Sequence, residues 1–272
     1  MPRRPARKRP PAAPRARAAG PAERLQKVLA RAGLASRREA EAWIRAGRLT
    51  INGAPASLGV RVTPQDDVRL DGRRVRQSAR AASAVVFLCH RSPGEPLRTP
   101  ADVPADATSR TALTERLPRR AGRRFISISP MPRVDGGLEL LCGDGELAAR
   151  LQRVVHALSG EFSIRVRGEL SPQQLEGILS GVLDHGAPLA VERCEAAGGE
   201  GSNRWYTLLV RGASGKEARQ LIERQGALVS RVLRTRLGPL ALERTLARGA
   251  FRALTQEELD ALTPEAAAAE GA

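Results

Sequence analysis

Closely spaced start and stop signals make residues 23–76 the most constrained part of the sequence. Ser36 is followed three places later by Glu39, which is the capping-box pattern that begins a helix. Asn52-Gly53 and Asp71-Gly72 are dipeptides that favour tight turns between strands. We therefore expect a small domain in which two helices are followed by a hairpin.

The apolar residues of this stretch agree with two helices over residues 23–46. They recur at the spacing of one helix face, and Gly33 and Gly47 are the residue type that commonly follows a helix C-terminus. The predicted buried positions are Leu25, Val28, Leu29 and Ala32 in the first helix, and Ala40, Trp43 and Ile44 in the second.

Six basic side chains can share the polar side of this domain, with few acids among them. Arg37 and Arg38 stand in the first turn of the second helix, where free backbone N–H groups also favour phosphate. The residues predicted to bind the phosphates of a polyanionic partner are Lys27, Arg31, Arg37, Arg38, Arg45 and Arg48.

The positive charge of the chain is concentrated in the same region. Residues 1–80 hold 20 Lys and Arg against 6 Asp and Glu, a net charge of +14, whereas residues 81–272 hold 25 against 23, a net charge of +2. Because Lys and Arg contacts that release counterions from phosphates dominate nucleic-acid affinity, a polyanionic partner is indicated. A membrane is not expected, since the longest apolar run, residues 81–89, is shorter than the roughly 20 residues that cross a bilayer.

Composition predicts how the rest of the chain is organised. Residues 1–22 contain seven basic residues and no acid, which predicts a disordered basic tail; residues 77–84 resemble a linker, and residues 263–272 a second disordered tail. Residues 85–262 mix strands and helices without strict βαβ alternation, so we expect an α+β fold with a mainly antiparallel sheet. The three cysteines and three histidines are scattered, which predicts buried thiols in a reducing cytoplasm and no metal site.

The first domain resembles the small RNA-binding domain named after ribosomal protein S-four. The residues that carry the resemblance are Leu25 to Ala30, Gly33, Ser36 to Ala40, Ile44, Gly47 and Asn52-Gly53. The resemblance implies that the second helix and its basic flank dock on folded RNA.

The larger domain contains four characteristic stretches: Asp144 to Ala148 with Arg150-Leu151, Gly198 to Tyr206, Gly215 to Arg219 with Leu221, and Val229-Ser230-Arg231 with Arg234, Arg236 and Gly238. In these motifs it is similar to the bacterial ribosomal RNA pseudouridine synthases that carry such an N-terminal domain. The resemblance implies that a uridine of ribosomal RNA leaves the base stack and is isomerised without a cofactor. In the family, one Asp carries the chemistry within Gly-Arg-Leu-Asp-x-x-Thr-x-Gly-Leu-Leu-Leu, a basic residue pairs with it, and an aromatic packs against the base.

The corresponding segment of this chain, residues 128–141, departs from that pattern and leaves two alignments open. Without gaps, the Asp position falls on Pro132, which preserves the strand register but leaves an inactive protein that would bind ribosomal RNA or assist ribosome assembly. In the second alignment, Arg133-Val134-Asp135 takes the place of the family's Arg-Leu-Asp, and Asp135 is the nucleophile. This alignment needs three extra residues before the triplet and three fewer after it, and loops accept such length changes at low cost in free energy.

The active alternative assigns further residues by resemblance. Arg219 would pair with Asp135, and Phe162 would replace the usual Tyr that stacks on the base. Two departures remain: Glu139 interrupts the apolar strand after the Asp segment, and residues 91–94 replace the family's Lys-Pro near the start of the domain. The expected protein is a cytoplasmic monomer that binds ribosomal RNA.

Overall fold

The structure, a computed structural model, describes residues 22–75, 85–98, 112–118 and 124–262. The chain forms two compact units, Met1–Ala79 and Arg80–Ala272. The predicted basic tail up to residue 21, the linker, the C-terminal tail and Arg76 lie outside the described residues. None of the helices in the described ranges is long and apolar enough to cross a membrane.

The first unit contains two helices and two small sheets. The elements are β1 (Glu23–Arg24), α1 (Leu25–Arg31), α2 (Arg37–Arg45), β2 (Leu49–Ile51), β3 (Ala54–Pro55), β4 (Arg61–Val62), β5 (Val68–Leu70) and β6 (Arg73–Arg74). Strand β2 lies between β3 and β5 in an antiparallel sheet that β6 extends, and β1 pairs with β4.

The local signals of this unit form the structures that they predict. Ser36 and Glu39 make both hydrogen bonds of a capping box at the start of α2. Both residues of Asn52-Gly53 and of Asp71-Gly72 have positive φ, as tight hairpin turns require. Most of the predicted apolar stripe is buried between the helices and the sheet, whereas Ala32 and Trp43 are only half-buried.

The second unit is built on one sheet of nine strands. The elements of this unit are β7 (Val86–Arg91), α3 (Leu113–Arg116), β8 (Ile126–Ser127), β9 (Gly136–Cys142), α4 (Gly145–Val155), β10 (Ser159–Arg167), α5 (Pro172–Leu179), β11 (Ala190–Glu200), β12 (Asn203–Arg211), α6 (Gly215–Glu223), β13 (Leu228–Leu237), β14 (Leu240–Ala241), β15 (Phe251–Ala253) and α7 (Gln256–Ala261). The strand order in the sheet is β11-β12-β10-β13-β9-β7-β15, with β14 beside β13 and β8 beside β9.

Only the β13–β9 pair of this sheet is parallel among the described strands; the other pairs are antiparallel. The predicted α+β fold with a mainly antiparallel sheet is therefore confirmed. Helices α5 and α6 close one apolar cluster against β10, β12 and β13, and helix α4 closes a second cluster against β7 and β9. Strand β9 is buried along its whole length, so the loop that enters it is held at the centre of the unit.

Several elements of the second unit were not predicted. Strand β11 is mostly exposed and ends in Gly198, Gly199 and Glu200, so its own residues do not favour a strand, and its pairing with β12 creates it. Helix α3, strand β15 and helix α7 were also missed. Helix α4 ends at Val155, because the following residues bond back in a tight turn.

Candidate active site

The loop from residue 128 to residue 135 joins β8 to β9 and carries both positions offered for the catalytic carboxylate. Ile126 pairs with Cys142 and Ser127 with Leu141, so the loop begins beside the C-terminal end of β9 and ends at the start of that strand. Asp135 is the last residue of the loop, and its side chain is completely buried. Its backbone N–H donates to the Pro132 carbonyl oxygen at 3.1 Å, which closes the end of the loop.

Asp135 forms a two-point ion pair with Arg219 of helix α6. The Arg219 Nε donates to Oδ2 at 2.9 Å and its Nη2 donates to Oδ1 at 2.6 Å. The Asp135 Oδ1 also accepts a hydrogen bond from the Val232 backbone N–H in β13, at 2.9 Å. A paired guanidinium fork fixes a carboxylate in direction as well as in position, so the loop, helix and strand together set where this carboxylate points.

The rest of the Arg219 guanidinium is also held. Its Nη1 donates to Glu223 Oε1 at 2.8 Å and to the Val229 carbonyl oxygen at 3.1 Å. The hydrogen bond with Asp135, followed by that with Glu223, raises the pKa of Arg219 above its ordinary value. The Arg219 side chain is 16% exposed while that of Asp135 is fully covered, so the pair meets solvent through the cation.

Pro132 lies at the beginning of helix α6 together with Met131. A Cβ added to Gly215 would lie 2.2 Å from the Met131 Sδ and 3.0 Å from the Pro132 Cδ, so only glycine leaves room for them there. The Pro132 carbonyl accepts hydrogen bonds, but its side chain carries no polar group. Of the two residues that the alignments offered, Asp135 is the one whose side chain meets Arg219.

Phe162 of β10 lies in the core of the second unit. Its side chain has no exposed surface, and it belongs to the apolar cluster that α5 and α6 close. The predicted stacking of Phe162 on a base therefore requires a rearrangement that uncovers the ring. In the described arrangement Phe162 acts as a core residue.

Three buried charged residues surround the same loop, and the sequence did not indicate that they meet. Arg91 of β7, Glu139 of β9 and Arg234 of β13 are at most 2% exposed. The Arg91 Nε lies 3.5 Å from the Glu139 Oε2. Burial lowers the pKa of Arg234 to about 10 and also lowers that of Arg91, while burial raises the pKa of Glu139 against the opposing effect of both arginines.

Two glycines let the chain pass between the strands that carry those arginines. A Cβ on Gly136 would lie 2.4 Å from the Arg91 carbonyl oxygen, and one on Gly137 would lie 2.3 Å from the Arg234 carbonyl oxygen. Gly137 also has φ +91°, a conformation that side chains rarely adopt. The glycine pair after Asp135 is thus required by close backbone approach.

The six basic residues predicted to bind RNA divide into two groups in the first unit. Lys27 and Arg31 pair with Glu23, and Arg48 pairs with Asp71. These three cations are therefore partly neutralised on the protein itself. The Arg48 guanidinium also lies 5.2 Å from the centre of the Trp43 ring.

The other three predicted residues, Arg37, Arg38 and Arg45, are exposed on helix α2. No acid among the described residues lies within ion-pair distance of them. They form a group of three positive charges without an ion-pair partner on one nine-residue helix, which also carries Glu39 and Glu41. This group is called the α2 arginines below.

Comparisons with known proteins match both units. A sequence profile of the S4 domain matches residues 23–68. The chain is 39% identical over 244 residues to ribosomal large subunit pseudouridine synthase B of Pseudomonas aeruginosa, a match that covers 89% of this chain and 62% of the relative. It is 36% identical over 234 residues to the protein of the same name from Salmonella typhi, covering 85% of this chain and 79% of the relative.

A solved structure agrees with the fold of the chain. A crystal structure of pseudouridylate synthase superposes with a TM-score of 0.56 at 18% identity, covering 88% of this chain and 99% of that one. The fold and the profile match define the class: an S4 domain followed by a sheet domain of pseudouridine synthase type.

The chain belongs to the family of ribosomal large subunit pseudouridine synthase B. The resemblance indicated by the sequence motifs is therefore confirmed. The chain spans 62% of the length of the Pseudomonas relative and 79% of that of the Salmonella relative.

Proposed function

We propose that this protein isomerises uridine to pseudouridine in ribosomal RNA, with Asp135 as the nucleophile and Arg219 as its ionic partner. The observation that carries the proposal is the two-point ion pair between these residues, with bonds of 2.6 and 2.9 Å. It supplies the Asp and the basic partner that the family's reaction uses. Family membership supports the same function.

The reaction places limited demands on the protein. The N1–C1′ bond of the target uridine breaks, a C5–C1′ bond forms, and the C5 proton is lost while N1 gains one, so no cofactor is needed. Asp135 would attack C1′ of the ribose as the N1–C1′ bond breaks and would be displaced when C5 of the base bonds to C1′, and Arg219 would keep the carboxylate oriented. The target must leave its stack to reach the residue, since a stacked base is inaccessible.

The first unit would bring the RNA to this site. The α2 arginines supply positive charges without an ion-pair partner, and these attract phosphate through counterion release. Both members of the Asp135–Arg219 pair come from one chain, so the proposal includes a monomer as the active form. Because ribosomal RNA is its substrate, the proposed location is the cytoplasm.

Release of tritium from RNA labelled at uridine C5 tests the function directly, because the isomerisation expels the C5 proton. Unmodified ribosomal RNA transcribed in vitro is incubated with the wild-type protein and with Asp135→Asn. The wild-type protein should release tritium at one uridine, and the variant should be slower by more than about 10³-fold, as is typical when a nucleophile is removed. The proposal would be overturned if the wild-type protein released no tritium either from the free RNA transcript or from the assembled ribosomal subunit.

The inactive alternative has one structural observation in its favour: the Asp135 side chain is fully buried. Under that alternative the protein binds ribosomal RNA and releases no tritium. Pro132→Asp separates the two alignments, because it restores the family Asp at the gapless position. Activity gained only in Pro132→Asp would favour the gapless alignment, and activity in the wild-type protein favours Asp135.

A further inference from the structure

The Asp135 loop is fixed by a buried group of three charged side chains, Arg91, Glu139 and Arg234, called the buried triad below. Glu139 occupies a place where the family pattern has Leu, and the function proposed above does not use it. Burying a charged group is unfavourable unless it is paired and hydrogen-bonded. A carboxylate in the middle of an otherwise apolar strand therefore needs a physical reason.

Arg91 binds the main chain of the loop itself. Its Nη2 donates to the carbonyl oxygens of Pro132 at 2.5 Å, Met131 at 2.8 Å and Asp135 at 3.1 Å. One guanidinium nitrogen thus gathers three carbonyl groups from the last turn of the loop. Displacement of Arg91 would release the backbone of Asp135.

Arg234 binds the two ends of the same segment. Its Nη1 and Nη2 donate to the side-chain and backbone oxygens of Ser129, at 2.8 and 2.6 Å. Its Nε and Nη2 donate to the carbonyl oxygen of Leu138 in β9, at 2.9 and 2.7 Å. The loop is therefore held where it begins and just after it ends.

Glu139 connects Arg91 to the loop. Its Oε2 accepts the Met131 backbone N–H at 3.2 Å and lies 3.5 Å from the Arg91 Nε, and its Oε1 accepts the Ser127 hydroxyl at 2.5 Å. Its charge also offsets the buried guanidinium charges of Arg91, which Asp135 offsets as well, and of Arg234. Loss of the Glu139 charge would leave Arg234 buried without the carboxylate that offsets its charge.

We propose that Glu139 is a positioning residue for the isomerisation, which it serves through Arg91 and the Met131 backbone by fixing the loop that presents Asp135 to Arg219. The inference rests on the proposed function, because it assigns the reacting carboxylate to Asp135. Misplacement of a reacting group by about 1 Å can lower the rate by about 10²-fold, so contacts that fix the Asp135 loop affect the reaction. The family's usual Leu would pack here but could hold neither arginine.

Glu139→Gln tests the proposal, because the amide keeps the size of the side chain and removes the charge. The single-turnover rate of tritium release should fall by about tenfold or more, while the affinity for ribosomal RNA stays unchanged. Glu258→Gln is the matched control, since Glu258 holds the ion pair with Arg252 near α7 and makes none of these loop contacts. Wild-type rate in Glu139→Gln would overturn the proposal.

A milder change covers the case in which Glu139→Gln does not fold. Arg91→Lys keeps the positive charge but has a single donor nitrogen, so it cannot hold the loop carbonyl groups, the Glu95 carbonyl oxygen and the position beside Glu139 at once, and it should also lower the rate at unchanged RNA affinity. A loss of melting temperature with full rate in the folded fraction of both variants would show a structural role only, and would contradict the proposal.

An activity-independent readout separates this inference from the proposed function. The ¹⁵Nε resonance of Arg219, assigned by its absence from Arg219→Lys, reports the hydrogen bond to Asp135. It should move in Glu139→Gln and stay in place in Glu258→Gln. If the wild-type protein releases no tritium, the proposed function fails, while an unmoved resonance would show that Glu139 does not position Asp135.

Discussion

Arginine side chains occupy opposite environments in the two units of this protein. The α2 arginines of the first unit are exposed and have no acidic partner among the described residues. Arg91 and Arg234 of the second unit are buried, and their donors are directed at backbone oxygens and at Glu139. The same residue type can thus attract a polyanion at the surface and fix a loop in the interior.

The difference has an energetic meaning. An exposed charge contributes little to folding and is screened by salt, so its main effect is on binding. A buried charge must be compensated, and removing one member of a buried group leaves the others unpaired. The comparison predicts that substitutions in the first unit change RNA affinity, whereas substitutions in the buried triad change stability and geometry.

The largest expected effect is on stability, from Arg234→Leu. It removes four hydrogen bonds to Ser129 and Leu138 and leaves Glu139 with one cation, so the free energy of unfolding should fall by about 3 to 5 kcal/mol. The matched surface change, Arg38→Leu, should alter it by less than about 0.5 kcal/mol. Urea denaturation of both variants measures this. Equal losses in the free energy of unfolding for Arg234→Leu and Arg38→Leu would contradict the distinction between buried and exposed arginines.

The next effect is on RNA affinity, from Arg37→Ala combined with Arg38→Ala. Loss of two phosphate contacts should weaken binding by about 10- to 100-fold and reduce the slope of log Kd against log salt by about 2. Arg150→Ala with Arg153→Ala removes the same charge from an exposed face of helix α4 and should have a smaller effect. Unchanged affinity in the α2 double variant would assign the contact to the basic tail.

The smallest effect concerns acid stability of the first unit. Asp66 accepts the Thr63 backbone N–H at 2.6 Å and the Asn52 side-chain amide at 2.8 Å, and the Thr63 bond is the main reason that the pKa of Asp66 lies below its ordinary value. A carboxyl whose folded pKa is lowered stabilises the protein above its unfolded pKa, about 3.9, and loses that effect as pH falls through the folded value.

Asp66→Asn should therefore be less stable than wild type at neutral pH, and the gap should close below about pH 4. Trp43 fluorescence during urea unfolding, in a Trp205→Phe background, reports on the first unit. A gap that stays constant from neutral to acidic pH would show that the charge of Asp66 is not the source of the stability.

Sequence signals predict the first unit better than the second for a local reason. The capping box of α2 and the two Asx-Gly turns are formed by residues within three positions of one another, so the sequence displays them directly. Strand β11 depends on pairing with β12, and its small, exposed residues give no such signal. Pairing across the sheet overrides local preference there.

The sequence offered Asp135 and Pro132 as alternatives for the reacting position and Arg219 as the basic partner, but it indicated none of the contacts that support them. Resemblance supplied Asp135 and Arg219, and the structure places their side chains in direct contact across 84 positions of sequence. The buried triad joins residues from three separate strands, and an Arg within a strand is usually expected at the surface. Glu139 was noticed as a departure from the pattern, but its partners could be found only once the sheet order was known.

The most direct test measures binding and chemistry side by side in two variants, Asp135→Asn and the Arg37→Ala, Arg38→Ala pair. Single-turnover tritium release at saturating protein gives the rate, and filter binding gives Kd for the same RNA. The account predicts that Asp135→Asn loses the rate at unchanged Kd, and that the arginine pair raises Kd while the saturated rate stays the same. Full tritium release by Asp135→Asn, or a saturated rate lost with the arginine pair at unchanged Kd, would contradict the division between a binding unit and a reacting unit.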